Sequence, residues 1–187
     1  MIVLPSAKID KAAEGAVEAC FSSAGQLCVS IERLYVPQER FEEFRTAFVS
    51  RVQHLALGAA LDWDADIGSL VSKAQLDTVT AHVKDAVDHG ATVLVGGKAR
   101  PDIGPYFYEP TVLEGVTESA ECFAGETFGP LVSLYPYATT EDAIALANQG
   151  EYGLNASIWG KPREARAMAG RIKAGTVNIN EGFSATF

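Results

Sequence analysis

The chain has 187 residues, of which 48% are hydrophobic and 21% charged, and its formal net charge is −9. This length and composition predict a single globular domain with a substantial core. The acidic balance argues against nucleic acid and anionic membranes as partners, because both select Lys and Arg patches, and no apolar run approaches the roughly 18 residues that span a bilayer.

Hydrophobic periodicity and turn residues predict helices and strands that alternate along the chain. Helices are predicted at residues 10–21, 39–53, 72–88, 140–148 and 162–172, the first with Asp10 as its N-cap. Strands are predicted at residues 31–36, 92–95, 131–137, 156–159 and 176–180, with a further extended segment at 106–112. Because such alternation implies crossover connections, the predicted fold class is α/β, a three-layer αβα arrangement around a mainly parallel sheet.

The three cysteines are an odd number at wide spacing, which indicates a reducing, cytoplasmic location rather than a disulfide framework. The three histidines do not cluster with them, so no metal site is predicted. A free cysteine is most often a small buried hydrophobe, and Cys20 and Cys122 are interpreted in that way. Cys28 differs because it follows Gly25 where a helix gives way to a strand, and such loops often carry reacting groups. It is a candidate nucleophile, and the buried-hydrophobe interpretation stays open beside it.

A second candidate segment is the run Glu-Thr-Phe-Gly-Pro at residues 126–130, directly before a predicted strand. Gly129 and Pro130 make a turn, but a turn requires neither Glu126 nor Phe128. A carboxylate beside an aromatic ring can bind ribose hydroxyls while the ring packs on a flat heterocycle. Taken alone, the run is also consistent with a simple turn.

Together, Gly-Gln-Leu-Cys at 25–28 and Glu-Thr-Phe-Gly-Pro at 126–130 resemble the two signature motifs of the aldehyde dehydrogenase superfamily. The resemblance covers the whole chain through further landmarks in the same order, at residues 1–7, 57–58, 67–70, 90–97, 108–112, 152–154 and 175–180. It implies the fold of that superfamily's catalytic domain, a small-molecule aldehyde as substrate, and NAD or NADP as cofactor.

The resemblance also implies roles for individual residues. Cys28 corresponds to the nucleophile, and Gln26 to a neighbour that shapes the turn around it. Glu126 corresponds to the residue that binds the nicotinamide ribose hydroxyls, and Phe128 to one that packs near the nicotinamide. Phe183 falls where the superfamily lines its aldehyde tunnel.

Other parts that the superfamily uses are not found in these 187 residues. They are an N-terminal dinucleotide-binding domain with a general-base glutamate and an oxyanion asparagine, and an arm that would follow Phe187. We therefore expect residues 1–187 to form one catalytic domain of a longer, homo-oligomeric enzyme. The cofactor would be bound mainly by the other domain, and the isolated chain would not turn over aldehyde.

The aldehyde and the reaction type remain open. The segment 21–36 is similar to proteins assigned as succinate-semialdehyde dehydrogenases, but Ser22 stands where better-known members have an arginine for the distal carboxylate. Arg33 is no obvious replacement, because its strand is expected to lead away from the site. The alternatives are a member that acylates coenzyme A, a non-enzymatic assembly module, and a cysteine hydrolase. The hydrolase would need an imidazole near Cys28, whereas all three histidines, His54, His82 and His89, are expected to be solvated surface residues without an orienting carboxylate.

Overall fold

The computed structural model describes residues 1–60 and 64–183, so the last four residues of the predicted 1–187 domain lie outside the described part. The described strands form one sheet with the order β3-β4-β5-β2-β1-β6-β7. In chain order they are β1 Ile2–Val3, β2 Arg33–Pro37, β3 Thr92–Val95, β4 Thr111–Glu114, β5 Leu131–Tyr137, β6 Asn155–Trp159 and β7 Thr176–Ile179. All neighbouring strands are parallel except β3 and β4, which confirms the predicted α/β class.

Helices connect the strands and cover both faces of the sheet. They are α1 Ile9–Phe21, α2 Phe41–Gln53, α3 Lys73–Asp88, α4 Glu121–Ala124, α5 Thr140–Ala147 and α6 Pro162–Ala169. The β1-to-β2 crossover runs in one direction along the sheet, and the β5-to-β6 and β6-to-β7 crossovers run in the other. Because such crossovers are right-handed, α1 lies on one face, and α5 and α6 lie on the opposite face. The three predicted αβα layers are therefore present.

Aromatic side chains make contacts in the helical layer on each face of the sheet. On one face, Phe21 of α1 and Phe44 of α2 both stack on Phe48 of α2, with ring centroids 6.2 and 5.6 Å apart. On the other face, the Tyr35 hydroxyl of β2 donates a hydrogen bond to the Leu146 carbonyl of α5 at 3.0 Å. None of the described helices combines the length and the apolar character that a membrane span requires.

Several predicted boundaries are wrong for local reasons. Helix α1 begins at Ile9 after Lys8, so Asp10 is not the N-cap but lies in the first turn, where a carboxylate interacts favourably with the helix dipole. The extended segment at 106–112 becomes a strand only from Thr111. Helix α6 ends at Ala169 rather than at residue 172, and a short 3₁₀ turn precedes α2. Strand β1 and helix α4 were not predicted, because a two-residue strand and a single helical turn carry no measurable periodicity.

Candidate active site

Cys28 lies on a tight turn between α1 and β2. The turn begins with a 3₁₀ segment, Ser22–Gly25, in which Ser23, Ala24 and Gly25 have left-handed φ values of 53°, 56° and 69°. Only glycine adopts this conformation without a steric cost, so the other two residues are held there by their surroundings. Cys28 follows three residues later, and its side chain is exposed.

Gln26 fixes the turn through its side-chain amide, as predicted. The Gln26 Nε2 donates hydrogen bonds to the carbonyls of Ser23 and Ser69 at 3.2 and 3.3 Å. Its Oε1 accepts a hydrogen bond from the Val71 backbone N–H at 2.8 Å. The turn is therefore attached to the segment that precedes α3. We call residues 22–30 the Cys28 turn.

The Cys28 turn and residues 126–130, the second signature loop, meet at one edge of the sheet. Strands β2 and β5 are parallel neighbours, with Arg33 opposite Ser133, and the two segments enter these strands at their amino ends. Their backbones touch, because a Cβ atom added to Gly25 would lie 2.1 Å from the Gly129 carbonyl oxygen. Segments about 100 residues apart in the chain are thus brought into contact by strand order.

Cys28 and Glu126 line the same open cleft. Its walls come from the amino ends of five parallel strands, β1, β2, β5, β6 and β7, represented by Met1, Arg33, Glu126, Tyr152 and Lys173. Open α/β sheets more often bind ligands at the carboxyl ends of their strands, so this site uses the opposite edge.

The two other cysteines are buried, as predicted. Cys20 lies in α1 with 2% of its surface exposed, and burial raises the pKa of its thiol. Cys122 lies in α4, and burial raises the pKa of its thiol to about 11. Of the three cysteines, Cys28 alone is exposed.

A histidine partner for Cys28 is not found among the described residues, since none of the three histidines lines the cleft. His54 and His89 are exposed, as expected. The expectation for His82 is wrong: its side chain is 13% exposed, its Nδ1 lies 3.0 Å from the Thr127 Oγ1, and its Nε2 lies 3.6 Å from the Glu121 carboxylate. Helix α3 packs against the 126–130 loop, so this imidazole supports the loop rather than the thiol.

A model of the aldehyde dehydrogenase family matches residues 1–186. The chain belongs to the aldehyde dehydrogenase family. A Mycobacterium tuberculosis relative named "Putative succinate-semialdehyde dehydrogenase", with NADP(+) in its name, is 54% identical over 185 residues. The match covers 98% of this chain and 36% of that relative.

Two solved structures of family members have the same fold. The succinate-semialdehyde dehydrogenase from Burkholderia pseudomallei matches with a TM-score of 0.94 at 33% identity, over 100% of this chain and 39% of its own. The betaine aldehyde dehydrogenase from Staphylococcus aureus, in complex with NAD+, matches with a TM-score of 0.94 at 31% identity, over 100% of this chain and 37% of its own. The chain therefore spans less than two fifths of the length of these relatives.

The aldehyde dehydrogenase signature residues differ in how they are placed. Glu126 is exposed, and its carboxylate accepts no hydrogen bond within the described residues. Phe128 is half-buried in the same loop with a left-handed φ of 53°. Phe183 is the last described residue and packs against the hydrophobic core. Among the described residues, neither phenylalanine lines the cleft, so their contacts with cofactor and aldehyde stay predictions.

The structure also shows where the two residues considered for binding a substrate carboxylate, Ser22 and Arg33, lie. The Ser22 hydroxyl turns back onto α1 and donates to the Glu18 carbonyl at 2.7 Å. Arg33 begins β2 as predicted, but it lines the cleft instead of leading away from it. Its two terminal nitrogens each donate to the Gln149 carbonyl at 3.1 Å.

One residue of the site was missed by sequence reasoning. Glu32 lines the cleft, and its carboxylate accepts hydrogen bonds from the backbone N–H groups of Thr127 and Phe128. Burial raises the pKa of this carboxyl, which the two amide hydrogen bonds lower by less. Nothing in the sequence around Glu32 indicates partners 95 residues away. Among the described residues, no group of three or more His, Cys, Asp or Glu side chains could hold a metal ion.

Proposed function

We propose that residues 1–187 form the cysteine-bearing catalytic part of a nicotinamide-dependent aldehyde dehydrogenase. The observation that carries the proposal is that Cys28, the one exposed thiol of three, shares a cleft with Glu126. Family membership supports it, because Cys28 and Glu126 stand in the two segments that resemble the family's signature motifs.

Cys28 is the proposed nucleophile. As the thiolate, its Sγ bonds to the aldehyde carbon while the carbonyl π electrons move to oxygen. Within the described residues the Cys28 backbone N–H donates no hydrogen bond, so it is available to this oxyanion. Loss of one such donor typically raises a barrier by roughly 3–4 kcal/mol.

Residues of the second loop fit a nicotinamide nucleotide. The exposed Glu126 carboxylate has free lone pairs for two ribose hydroxyls, and the Phe128 ring stands two residues away to pack near the base. A bound nicotinamide would supply the acceptor for the hydride that leaves the substrate carbon. Cys28 then retains that carbon as a thioester, until water adds and the C–S bond breaks, which releases the acid, the thiolate and one proton.

The proposed substrate is an aldehyde with a distal carboxylate, such as succinate semialdehyde. The names of the relatives support it, and so do the two cations that line the cleft, Arg33 and Lys173. A carboxylate out of water needs a charged hydrogen-bond donor, and Ser22 does not supply one. Phe183 is proposed to contact the aldehyde.

The test compares the full-length enzyme with its Cys28→Ser variant, by reduction of NAD and of NADP with succinate semialdehyde. We expect the variant to lose at least roughly 1,000-fold in kcat, because the nucleophile is removed. Butanal, which has the same carbon chain without the carboxylate, should have a kcat/KM lower by about 10- to 100-fold. Turnover that survives in Cys28→Ser would contradict the proposal, and equal rates with both aldehydes would contradict the substrate. The isolated chain serves as a control and should show no cofactor-dependent rate.

A further inference from the structure

Glu32 joins the segment that follows the Cys28 turn to the 126–130 loop. It stands four residues after Cys28, immediately before β2. Its Oε1 accepts from the Thr127 N–H at 3.1 Å and from the Phe128 N–H at 2.8 Å, and its Oε2 accepts from the Thr127 N–H at 2.9 Å. One carboxylate therefore binds the two backbone amides that directly follow Glu126.

Helix α3 holds the same two residues through their carbonyl groups. Gln75 Nε2 donates to the carbonyls of Thr127 and Phe128 at 2.7 and 2.9 Å. The Thr127 hydroxyl lies 3.0 Å from His82 Nδ1, and Thr127 is 2% exposed. The N–H groups of both residues are thus bound by Glu32, and their carbonyls by Gln75.

Phe128 needs this support because of its backbone conformation. Its φ of 53° is left-handed, which is costly for a bulky aromatic residue. Such a conformation persists only where the surrounding contacts determine it, and strained residues of this kind cluster at functional sites. Without its hydrogen bond to Glu32, Phe128 is expected to relax to another backbone conformation, and Glu126 would turn with it.

The surroundings of the Glu32 carboxyl group disfavour its charge, but both of its oxygen atoms are used as hydrogen-bond acceptors. The carboxylate is half-buried, and within the described residues it has no ion pair; the neighbouring Arg33 guanidinium is bonded to Gln149. Burial raises the pKa of Glu32, so ionising this carboxyl group costs more in the folded chain than in water. A carboxylate presents two acceptor atoms to the loop, whereas the amide of glutamine presents one acceptor and a donor that faces another donor.

We propose that Glu32 is a positioning residue of the aldehyde dehydrogenase site. Glu32 holds the 126–128 segment in the conformation in which Glu126 and Phe128 contact a cofactor bound next to Cys28. The effect of Glu32 on cofactor binding rests on the proposed function, whereas its hydrogen bonds with Thr127 and Phe128 do not. Glu32 touches neither substrate nor reacting atoms in this role, and acts through the loop.

The experiment uses the full-length enzyme with Glu32→Gln, Glu32→Ala and a matched control, Asp142→Asn. The control removes a carboxylate that also accepts from a backbone N–H, that of Thr139 at 2.9 Å, but in the capping box of α5 at the other edge of the sheet. Three quantities are measured: hydrogen exchange of the Thr127 and Phe128 amides, KM for the nicotinamide cofactor and for the aldehyde, and the rate of Cys28 alkylation.

We expect exchange at Thr127 and Phe128 to quicken by at least about tenfold in both Glu32 variants, because their hydrogen-bond acceptor is weakened or removed. The cofactor KM should rise by about tenfold, while aldehyde KM and Cys28 alkylation stay within about twofold of the parent enzyme. Asp142→Asn should change none of these. If Glu32→Ala does not fold, Glu32→Gln alone decides the question.

Unchanged exchange in the Glu32 variants would overturn the contact. Faster exchange with an unchanged cofactor KM would overturn the positioning role and leave a purely structural one. If the parent enzyme oxidises no aldehyde with NAD or NADP, the proposed function fails, and the exchange data alone decide whether Glu32 holds the loop.

Discussion

The three cysteines of this chain differ in exposure because their surroundings differ. Cys20 is enclosed by α1 and the core, and Cys122 by the short helix α4, whereas Cys28 stands exposed on its turn. Burial favours the neutral thiol because the thiolate loses its hydration, which is why the pKa values of both buried thiols are raised, that of Cys122 to about 11. Since only the thiolate is a good nucleophile, burial suppresses reactivity both through access and through ionisation.

We predict that iodoacetamide modifies Cys28 alone in the folded chain at about pH 8. Its alkylation should be at least about 100-fold faster than that of Cys20 or Cys122, measured by mass spectrometry of the peptides over time. In denaturant all three should react at similar rates, which is the control for reagent and peptide detection. Alkylation of Cys20 or Cys122 at a rate near that of Cys28 in the native chain would contradict this assignment of the site.

The sequence distinguished the cysteines where the signal was local. Cys28 was singled out by the glycine-containing turn next to it, and it is exposed, whereas the role of Gln26 came from the family resemblance. Glu32 and His82 were missed or misassigned because their partners, Thr127 and Phe128, lie 45 to 96 residues away. A side chain's hydrogen-bond partners across a fold leave no trace in the neighbouring sequence.

At the scale of elements, the site depends on a backbone contact between two loops. Gly25 has a left-handed φ of 69°, and an added Cβ would lie 2.1 Å from the carbonyl oxygen of Gly129. The obstacle is backbone, which cannot swing aside as a flexible side chain can. Gly25 is therefore required by space as well as by conformation, and the loop that carries Glu126 rests directly on it.

We predict that Gly25→Ala lowers the free energy of unfolding by about 2 kcal/mol or more, from left-handed strain and the clash with Gly129 together. Gly170→Ala is the matched control, since Gly170 has a φ of −66° and no atom within 4 Å of an added Cβ. It should change the free energy by no more than about 0.5 kcal/mol in urea unfolding. Equal effects of the two substitutions would mean that the loops are not in contact at Gly25.

Elements with a regular apolar pattern were predictable, whereas the two-residue β1 and the single-turn α4 were not. Helix α3 matches its predicted range to within one residue because it buries an apolar face at helical spacing, and β5 matches because six of its seven residues are buried. Helix α5 begins at its predicted residue, after a capping box that Thr139 and Asp142 form. Strand β1 was missed because its two residues are defined only by pairing with β2 and β6.

On the scale of the whole molecule, strand order creates the cleft. Strands β2 and β1 lie between β5 and β6, so the segments that enter these strands converge at one edge although they are far apart in sequence. The alternation of helices and strands predicts a parallel sheet, but it does not predict the order of the strands. The convergence of Cys28 with Glu126 was expected only from the resemblance to the family, and the sheet supplies its physical basis.

The burial of Glu32 should make the free energy of unfolding depend on pH. A carboxyl whose pKa is raised in the folded state contributes stability that is full below its unfolded pKa of about 4.3 and is lost as pH rises through the folded pKa. Burial is the main cause for Glu32; Glu126 raises its pKa further, and the Thr127 and Phe128 amides and Arg33 lower it. Cys20 and Cys122 also interact with the Glu32 charge. Both thiols stay neutral between about pH 4 and neutral pH because their own pKa values are raised.

We therefore predict that the unfolding free energy of the parent chain, minus that of Glu32→Gln, falls as pH rises from about 4 into the neutral range. Glu141→Gln is the matched contrast, because a hydrogen bond from Arg171 lowers the pKa of Glu141 and gives it the opposite dependence. For Glu141 the difference should be present above about pH 4.3 and be lost as pH falls through the lowered pKa. Urea unfolding of the three chains at a series of pH values measures both differences. A Glu32 difference that rises with pH would show that the amide hydrogen bonds outweigh burial, and that the carboxylate stabilises the fold instead of being held at a cost.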